Sequence, residues 1–157
     1  MTVITHMQRK SRLAEMIDKP GGVSVGVALA QAKANLAVLE DQARAIVADN
    51  IAALLAEPVP GMIEPMRLDM AYSASSQIID AASPFEMDDL CTAAKGLCDL
   101  LDAAPRQGGF DWRIATVHAQ AMKVLLSLPP QEAAARSAIL TNLHEVLKRK
   151  LPGQPQG

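Results

Sequence analysis

The sequence feature that most constrains the fold is a long run with helical spacing, flanked by two proline-containing breaks. Apolar residues recur every three or four positions over residues 24–57, as on one face of an α-helix. A Pro-Gly-Gly sequence at residues 20–22 precedes the run, and Pro-Val-Pro-Gly at residues 58–61 follows it. The run predicts one helix of about 50 Å. Its apolar positions are Val25, Leu29, Ala32, Leu36, Leu39, Ala43, Ile46, Ala53 and Leu54.

The length of this helix predicts a second interaction surface. The later helices are predicted to have about 18 residues, or about 27 Å each, so roughly half of the long helix should extend beyond them. An apolar stripe exposed to water favours association. The segment before residue 20, a second copy of the chain or another protein would each cover it, and a break in the middle of the helix is the alternative. A homodimer through the long helix is therefore one of the expected partners.

Composition limits the class of protein. The chain has 157 residues, of which 50% are apolar and only 3% aromatic. That length suits one domain with a substantial core, and the abundance of alanine, leucine and methionine favours helices over a β-sandwich. A net charge of -2 gives no general attraction to nucleic acid or anionic lipid. No apolar run has the roughly 18 residues that membrane insertion needs, and no signal-peptide pattern is evident, so we predict a cytoplasmic protein.

The breaks divide the chain into three parts. Residues 1–22 form an N-terminal segment with a short basic helix at 7–19, which is either a solvated face or a docking segment for an acidic partner. Residues 23–150 form the helical bundle domain, and residues 151–157 form a flexible tail. The predicted fold is all-α, an antiparallel four-helix bundle with one long helix and a short N-terminal helix. The helices after the long one are predicted at 66–82, 87–101, 111–128 and 131–150.

Several positions carry local predictions about helix ends and packing. Ser83 and Glu86 match a capping box that would start the helix at 87–101, with Pro84 at its first position. Asp111 is predicted to cap the next helix. Gly96 costs about 1 kcal/mol against alanine within a helix, which indicates a close contact there.

The helix at 66–82 has an unusually polar and small-residue outer face. Its apolar positions fall on one side, whereas acidic and small polar residues fall on the other. Such a face is flat and suits close docking of a protein domain, with Met70 and Phe85 as apolar anchors. An ordinary solvated face is the alternative interpretation. The predicted partner-binding residues are Asp69, Met70, Ser73, Ser76, Gln77, Asp80 and Phe85.

The sequence lacks motifs for catalysis or for holding a cofactor. There is no Gly-rich phosphate loop, no Cys-x-x-Cys and no His-Glu-x-x-His. Cys91 and Cys98 are two turns apart on one predicted helix, about 10 Å, and are interpreted as core residues. His118 and His144 lie at the edges of apolar stripes and are interpreted as half-buried packing residues. We therefore predict no enzyme activity, no catalytic residues, no metal and no cofactor.

The stretch at 66–104 resembles a histidine phosphotransfer (Hpt) domain, a four-helix bundle in which one helix exposes a phosphorylated histidine in a His-x-Leu-Lys-Gly pattern. Ala82 and Ser83 match the turn after that helix, and the Cys-Asp-Leu-Leu-Asp run at residues 98–102 matches the end of the next helix. Ser73, ten positions before Ser83, stands where the histidine would be. Ser76 and Gln77 stand at the Lys-Gly positions.

Most of the chain is also similar to the chemotaxis protein CheE family. The resemblance implies a role in chemotaxis or two-component signalling and implies no reaction. It is carried by short pieces in matching order: Arg12-Leu13, Pro20-Gly21-Gly22, Tyr72, Leu97-Cys98-Asp99-Leu100-Leu101, Gly108-Gly109-Phe110-Asp111-Trp112 and Val117-His118.

Serine at the acceptor position changes what an Hpt-like domain can do. Exchange with a receiver aspartate uses an imidazole nitrogen, whose phosphoramidate is labile, whereas a serine phosphoester is far more inert. The sequence therefore predicts a non-catalytic pseudo-Hpt module that binds a response-regulator receiver domain or a chemotaxis kinase component around Ser73. The alternatives are a phosphotransferase that uses His118 or His144, and a dimerising adaptor or scaffold protein.

Overall fold

A computed structural model describes residues 21–22, 24–105 and 109–150 of the chain. Within these ranges there is no β-strand, and the predicted all-α class is confirmed. The predicted helix at 7–19 and the predicted tail at 151–157 lie outside the described residues. The elements are α1 (Val25–Leu55), α2 (Glu64–Ala82), a 3-10 turn (Ser83–Phe85), α3 (Asp88–Asp102), α4 (Trp112–Ser127) and α5 (Ala133–Lys150).

The chain divides into two compact units, residues 1–38 and residues 39–157. In the first unit, the hydroxyl of Ser24 accepts a hydrogen bond from the Val27 amide (3.3 Å) and caps α1. Every described residue from 24 to 38 is exposed. The apolar side chains there include Leu29 at 56% exposure and Leu36 at 54%. The predicted helix is therefore formed, and its apolar stripe is uncovered in this unit.

The second unit contains the hydrophobic core, and α3 is its most buried helix. α3 packs against α2, α4 and α5. Val47 and Ile51 bring the second half of α1 into the same core. Burial of these apolar side chains is the main favourable contribution to folding, at about 25 cal/mol per Å² removed from water. The largest fully buried side chains in this unit are Val47, Ser75, Ile78, Leu90, Leu97, His118, Met122 and Leu125.

The connection from α2 to α3 differs from the predicted capping box. Ser83 keeps a helical backbone (φ -58°, ψ -42°) and does not cap α3, whose N-cap residue is Met87. Glu86 adopts the left-handed conformation (φ 55°). Its amide donates to the Ser83 carbonyl (3.3 Å), and the Met87 amide donates to the Ala82 carbonyl (3.4 Å). These two bonds form a Schellman motif, so the capping-box prediction was wrong because the residues end one helix instead of starting the next.

Pro65 lies in the first turn of α2, where its missing amide costs nothing. Two other local predictions are confirmed. The Asp111 side chain accepts a hydrogen bond from the Arg113 amide (3.2 Å) and caps α4. Gly96 is in close contact with α5, since a Cβ built on it would lie 2.9 Å from Leu147 Cδ1. Glycine at this position lets α3 and α5 approach each other.

None of the helices within the described ranges combines the length and the apolar character needed to cross a membrane.

Candidate functional site

α2 and the end of α3 form an open groove around Ser73. Leu68, near the start of α2, and Leu101, at the end of α3, are buried residues that line it, so the two helices are antiparallel neighbours. The groove has a volume of about 670 Å³. We call it the Ser73 groove, and it is lined by Leu68, Asp69, Tyr72, Ser73, Ser76, Gln77, Asp80, Leu101 and Asp102.

Ser73 lies on the exposed surface of α2, and its hydroxyl is held by a neighbouring side chain. Gln77 Nε2 donates a hydrogen bond to Ser73 Oγ at 3.1 Å. The two residues are four apart, which places them on the same face of the helix. This pair gives the middle of the groove a small, polar surface with no long charged side chain on it.

Three carboxylates line the Ser73 groove. Asp69, Asp80 and Asp102 line it, and none of the nine described residues around it is basic. The phenol of Tyr72, which is 44% exposed, provides a partly apolar wall. A partner that presents lysine or arginine to this groove would gain favourable electrostatic interactions and a faster association rate.

Met70 belongs to the other side of the exposed α2 face. It lines a separate cavity of about 220 Å³ between the end of α1, the connection to α2 and α2 itself. We call this the Met70 cavity. Arg67 forms part of its wall, with Cζ 3.6 Å from the ring centroid of Trp112, and Trp112 Nε1 donates to Glu64 Oε1 at 3.0 Å. Met70 and Ser73 therefore share a helix face but line different depressions.

Phe85 lines neither the Ser73 groove nor the Met70 cavity. It is half-buried in a third groove of about 530 Å³, beside Arg44 and Arg136. Arg136 is engaged in structural bonds: its Nε binds Asp89 at 2.6 Å, and its Nη1 donates to the carbonyls of Leu125 (3.0 Å) and Leu128 (2.8 Å). Arg136 thereby satisfies carbonyls near the end of α4.

His118 is completely buried in the core instead of half-buried at its edge. Its exposure is 0%, and its Nδ1 lies 2.9 Å from the Ile114 carbonyl, to which it donates. Nε2 has no hydrogen-bond partner among the described residues. Burial lowers the pKa of His118 below the ordinary value of 6.5, and the bond to Ile114 offsets this in part. A neutral, enclosed imidazole is not presented to another protein.

The remaining reactive groups are dispersed. His144 on α5 is exposed, in contrast to its predicted half-buried position. Cys98 is buried and Cys91 is half-buried, and both are free thiols. Burial raises the pKa of both thiols, which makes them less nucleophilic. No group of three or more histidine, cysteine, aspartate or glutamate side chains within the described residues is arranged to hold a metal ion.

The predicted residues include only part of the lining of the Ser73 groove, since Leu68 and Tyr72 of α2 and the residues of the neighbouring helix were not among them. Five of the seven predicted residues line the Ser73 groove: Asp69, Ser73, Ser76, Gln77 and Asp80. Leu101 and Asp102 were not predicted, although the antiparallel pairing of consecutive helices brings the end of α3 to the start of α2. Trp112 in the Met70 cavity gave no local signal, because its position depends on how α4 packs.

Comparison of the chain with protein-family models, with curated proteins and with solved structures gave no match.

Proposed function

We propose that this protein is a non-catalytic signalling module of a cytoplasmic chemotaxis or two-component system. It binds the receiver domain of a response regulator through the Ser73 groove. The observation that best supports this proposal is the geometry around Ser73. The residue at the predicted acceptor position is exposed, its hydroxyl is engaged by Gln77, and it lies in an open groove with four other predicted residues.

Chemistry at Ser73 favours binding over transfer. The groove supplies carboxylates but no imidazole among its nine described residues. A serine that accepted a phosphoryl group would hold it as a stable ester and would not return it readily to a receiver. The module therefore acts by occupying the receiver, with no covalent step.

The proposal is tested by calorimetric titration of purified receiver domains, with and without beryllofluoride as an acyl-phosphate mimic. The wild type should bind at least one receiver. Ser73→Arg should weaken that binding at least about tenfold, which is about 1.4 kcal/mol, because a long charged side chain would fill the middle of the face. Thr116→Arg introduces the same side chain at an exposed position on α4 and serves as the control. Equal affinities for wild type and Ser73→Arg, or no binding at all, would contradict the proposal.

The histidine phosphotransferase alternative is distinguished by one further assay. His144 is the exposed histidine among the described residues, whereas the burial of His118 argues against its use. Incubation with a phosphorylated receiver should leave this protein without an acid-labile phosphoryl group. A labile phosphoprotein that disappears in His144→Gln or in His118→Gln would establish the alternative.

A second candidate function is that of a dimerising adaptor, and the exposed apolar residues of α1 favour it. Val25, Leu29 and Leu36 are all more than half exposed. Together with Ala32 they alternate in steps of four and three, which is the spacing of a coiled-coil seam. Light scattering tests this function: a homodimer through the long helix should become a monomer in Leu29→Glu, with the exposed Gln31→Glu as control. A wild type that stays monomeric at high concentration would exclude it.

A further inference from the structure

We propose that the Met70 cavity receives a bulky apolar side chain from the partner that occupies the Ser73 groove. This inference rests on the proposed function and specifies the chemistry of the bound segment. The segment carries an aliphatic or aromatic side chain at one end and a lysine or arginine at the other. The apolar side chain enters the cavity, and the basic side chain lies beside Asp80.

The cavity has the composition of a site for an apolar anchor. Its walls include Leu54, Val59, Met62 and Ala74, and its mouth is bordered by Met70. A volume of about 220 Å³ suits one large side chain rather than a whole ligand. Desolvated pockets of this type hold the side chains that contribute most to protein–protein affinity.

Exposed apolar residues extend from the cavity along the protein surface. Val59, Ile63, Met66 and Met70 are each between 54% and 64% exposed. Single exposed apolar residues are ordinary, but four within twelve positions of the chain favour an interaction in this region. Methionine side chains adapt their shape readily, which suits a surface that accepts one of several apolar side chains.

The wall of the cavity is held in place by polar contacts. The guanidinium of Arg67 stacks on the Trp112 ring at 3.6 Å, and Glu64 accepts a hydrogen bond from the indole at 3.0 Å. These contacts join α2 to the start of α4. A cavity that is already formed reduces the entropy lost when a partner side chain enters it.

The polarity of the α2 face defines the bound segment. Met66, Met70, Ser73, Gln77 and Asp80 follow one another in steps of four and three, so they form one stripe along the helix. The stripe is apolar at its start, small and polar in its middle, and acidic at its end. Met70 and Asp80 are about 15 Å apart along the helix axis. A complementary segment therefore carries its apolar and basic residues about 15 Å apart.

The single tryptophan of the chain provides a direct probe of the cavity. Trp112 is the only tryptophan, so labelling with 5-fluorotryptophan gives one fluorine resonance. Unlabelled receiver domain is added to the labelled protein, and the resonance is followed by NMR. Saturation with a receiver that binds should shift this resonance, because the entering side chain changes the surroundings of the indole.

Substitutions around the cavity test its contribution to binding independently of the Ser73 groove. Ala53 is exposed and lines the cavity from α1, so Ala53→Phe fills its mouth without altering α2. This change should weaken receiver binding at least about tenfold, and Met70→Ala should weaken it about threefold or more. Ala52→Phe, at the exposed neighbouring residue that lines a different recess, should keep receiver affinity within about twofold of wild type.

Asp80→Lys tests the basic end of the bound segment. It should weaken receiver binding and reduce the dependence of that binding on salt.

The outcomes distinguish this inference from the proposed function. If Ser73→Arg loses binding while Ala53→Phe and Met70→Ala bind as the wild type does, and the Trp112 resonance does not move, the cavity anchor is wrong and the proposed function stands. If Asp80→Lys binds with unchanged affinity, the basic end of the segment is wrong. If the wild type binds no receiver domain, both proposals fall.

Discussion

At the scale of single residues, Glu86 and His118 carry costs that the rest of the fold must compensate. Glu86 adopts a positive φ of 55°, although it is not glycine. His118 is fully buried with one ring nitrogen unpaired among the described residues. Neither residue lies in the Ser73 groove or the Met70 cavity, so its effect on stability can be measured without altering the proposed binding surface.

Replacement of Glu86 by glycine should stabilise the protein. A side chain in the left-handed region costs roughly 1–2 kcal/mol, and the greater flexibility of glycine in the unfolded chain offsets part of that gain. Glu86→Gly should therefore raise the free energy of unfolding by about 0.5–1 kcal/mol, measured by urea denaturation. Glu86→Ala is the control, since it removes the carboxylate but keeps a Cβ at positive φ. Equal stabilities of the two variants would contradict this assignment of the strain.

Burial of His118 should make stability depend on pH. Its pKa is lowered in the folded state, so the unfolded chain binds the proton more tightly. The stability from the neutral imidazole is fully present above pH 6.5 and is lost as the pH falls through the unfolded pKa towards the lower folded one. The free energy of unfolding should decline there by up to about 1.4 kcal/mol per pH unit.

Denaturation of wild type and His118→Leu between pH 7.5 and about 5 measures this contribution, since the unperturbed histidine pKa of about 6.5 lies in that range. The variant should show a flatter profile. His144→Gln, at the exposed histidine, should keep the wild-type slope. The same slope in wild type and His118→Leu would show that another group causes the pH dependence.

At the scale of elements, the two helix starts of α3 and α4 are stabilised differently. Asp111 caps α4 through the Arg113 amide, and its carboxylate also pairs with the Arg113 guanidinium at 2.9 Å. These bonds hold the pKa of Asp111 below its usual value. By contrast, Ser83 belongs to the end of α2, and its side chain makes no capping bond to α3.

Alanine substitution should distinguish these two roles. Asp111→Ala should lower the free energy of unfolding measurably, because the amide at the start of α4 loses its acceptor. Ser83→Ala should change it by less than about 0.5 kcal/mol, since no cap is removed. Thermal or urea denaturation of both variants gives the comparison. A larger loss of stability in Ser83→Ala than in Asp111→Ala would support the capping box that the sequence predicts.

At the scale of the whole molecule, periodic patterns predicted the helices, and side-chain placement depended on packing. The apolar spacing and the proline breaks were sufficient for the helices and their approximate ends. The α2–α3 connection was misread because a Ser-Pro-Phe-Glu sequence is compatible with both a capping box and a Schellman end, and the choice depends on how Met87 and Ala82 pack in the core.

Prediction of the candidate site was limited in the same way, because helical phase can be read from the sequence and packing between helices cannot. Helical phase was sufficient to place Asp69, Ser73, Ser76, Gln77 and Asp80 on one face. It could not show that Met70 borders a cavity of its own, or that Phe85 turns towards α5, since both depend on contacts between distant parts of the chain. His118 was placed at a stripe edge, but α3 packs against it, since a Cβ built on Gly96 would lie 3.8 Å from His118 Nε2.

The central claim is that the α2 face around Ser73 is the surface that binds a signalling partner. Amide chemical-shift mapping of the ¹⁵N-labelled protein, titrated with an unlabelled receiver domain in the presence of beryllofluoride, tests this claim most directly. The largest shifts should fall on residues of α2 from Asp69 to Asp80 and on Leu101 and Asp102 at the end of α3. Shifts concentrated on α5 around His144, or no shifts at saturating receiver concentration, would contradict it.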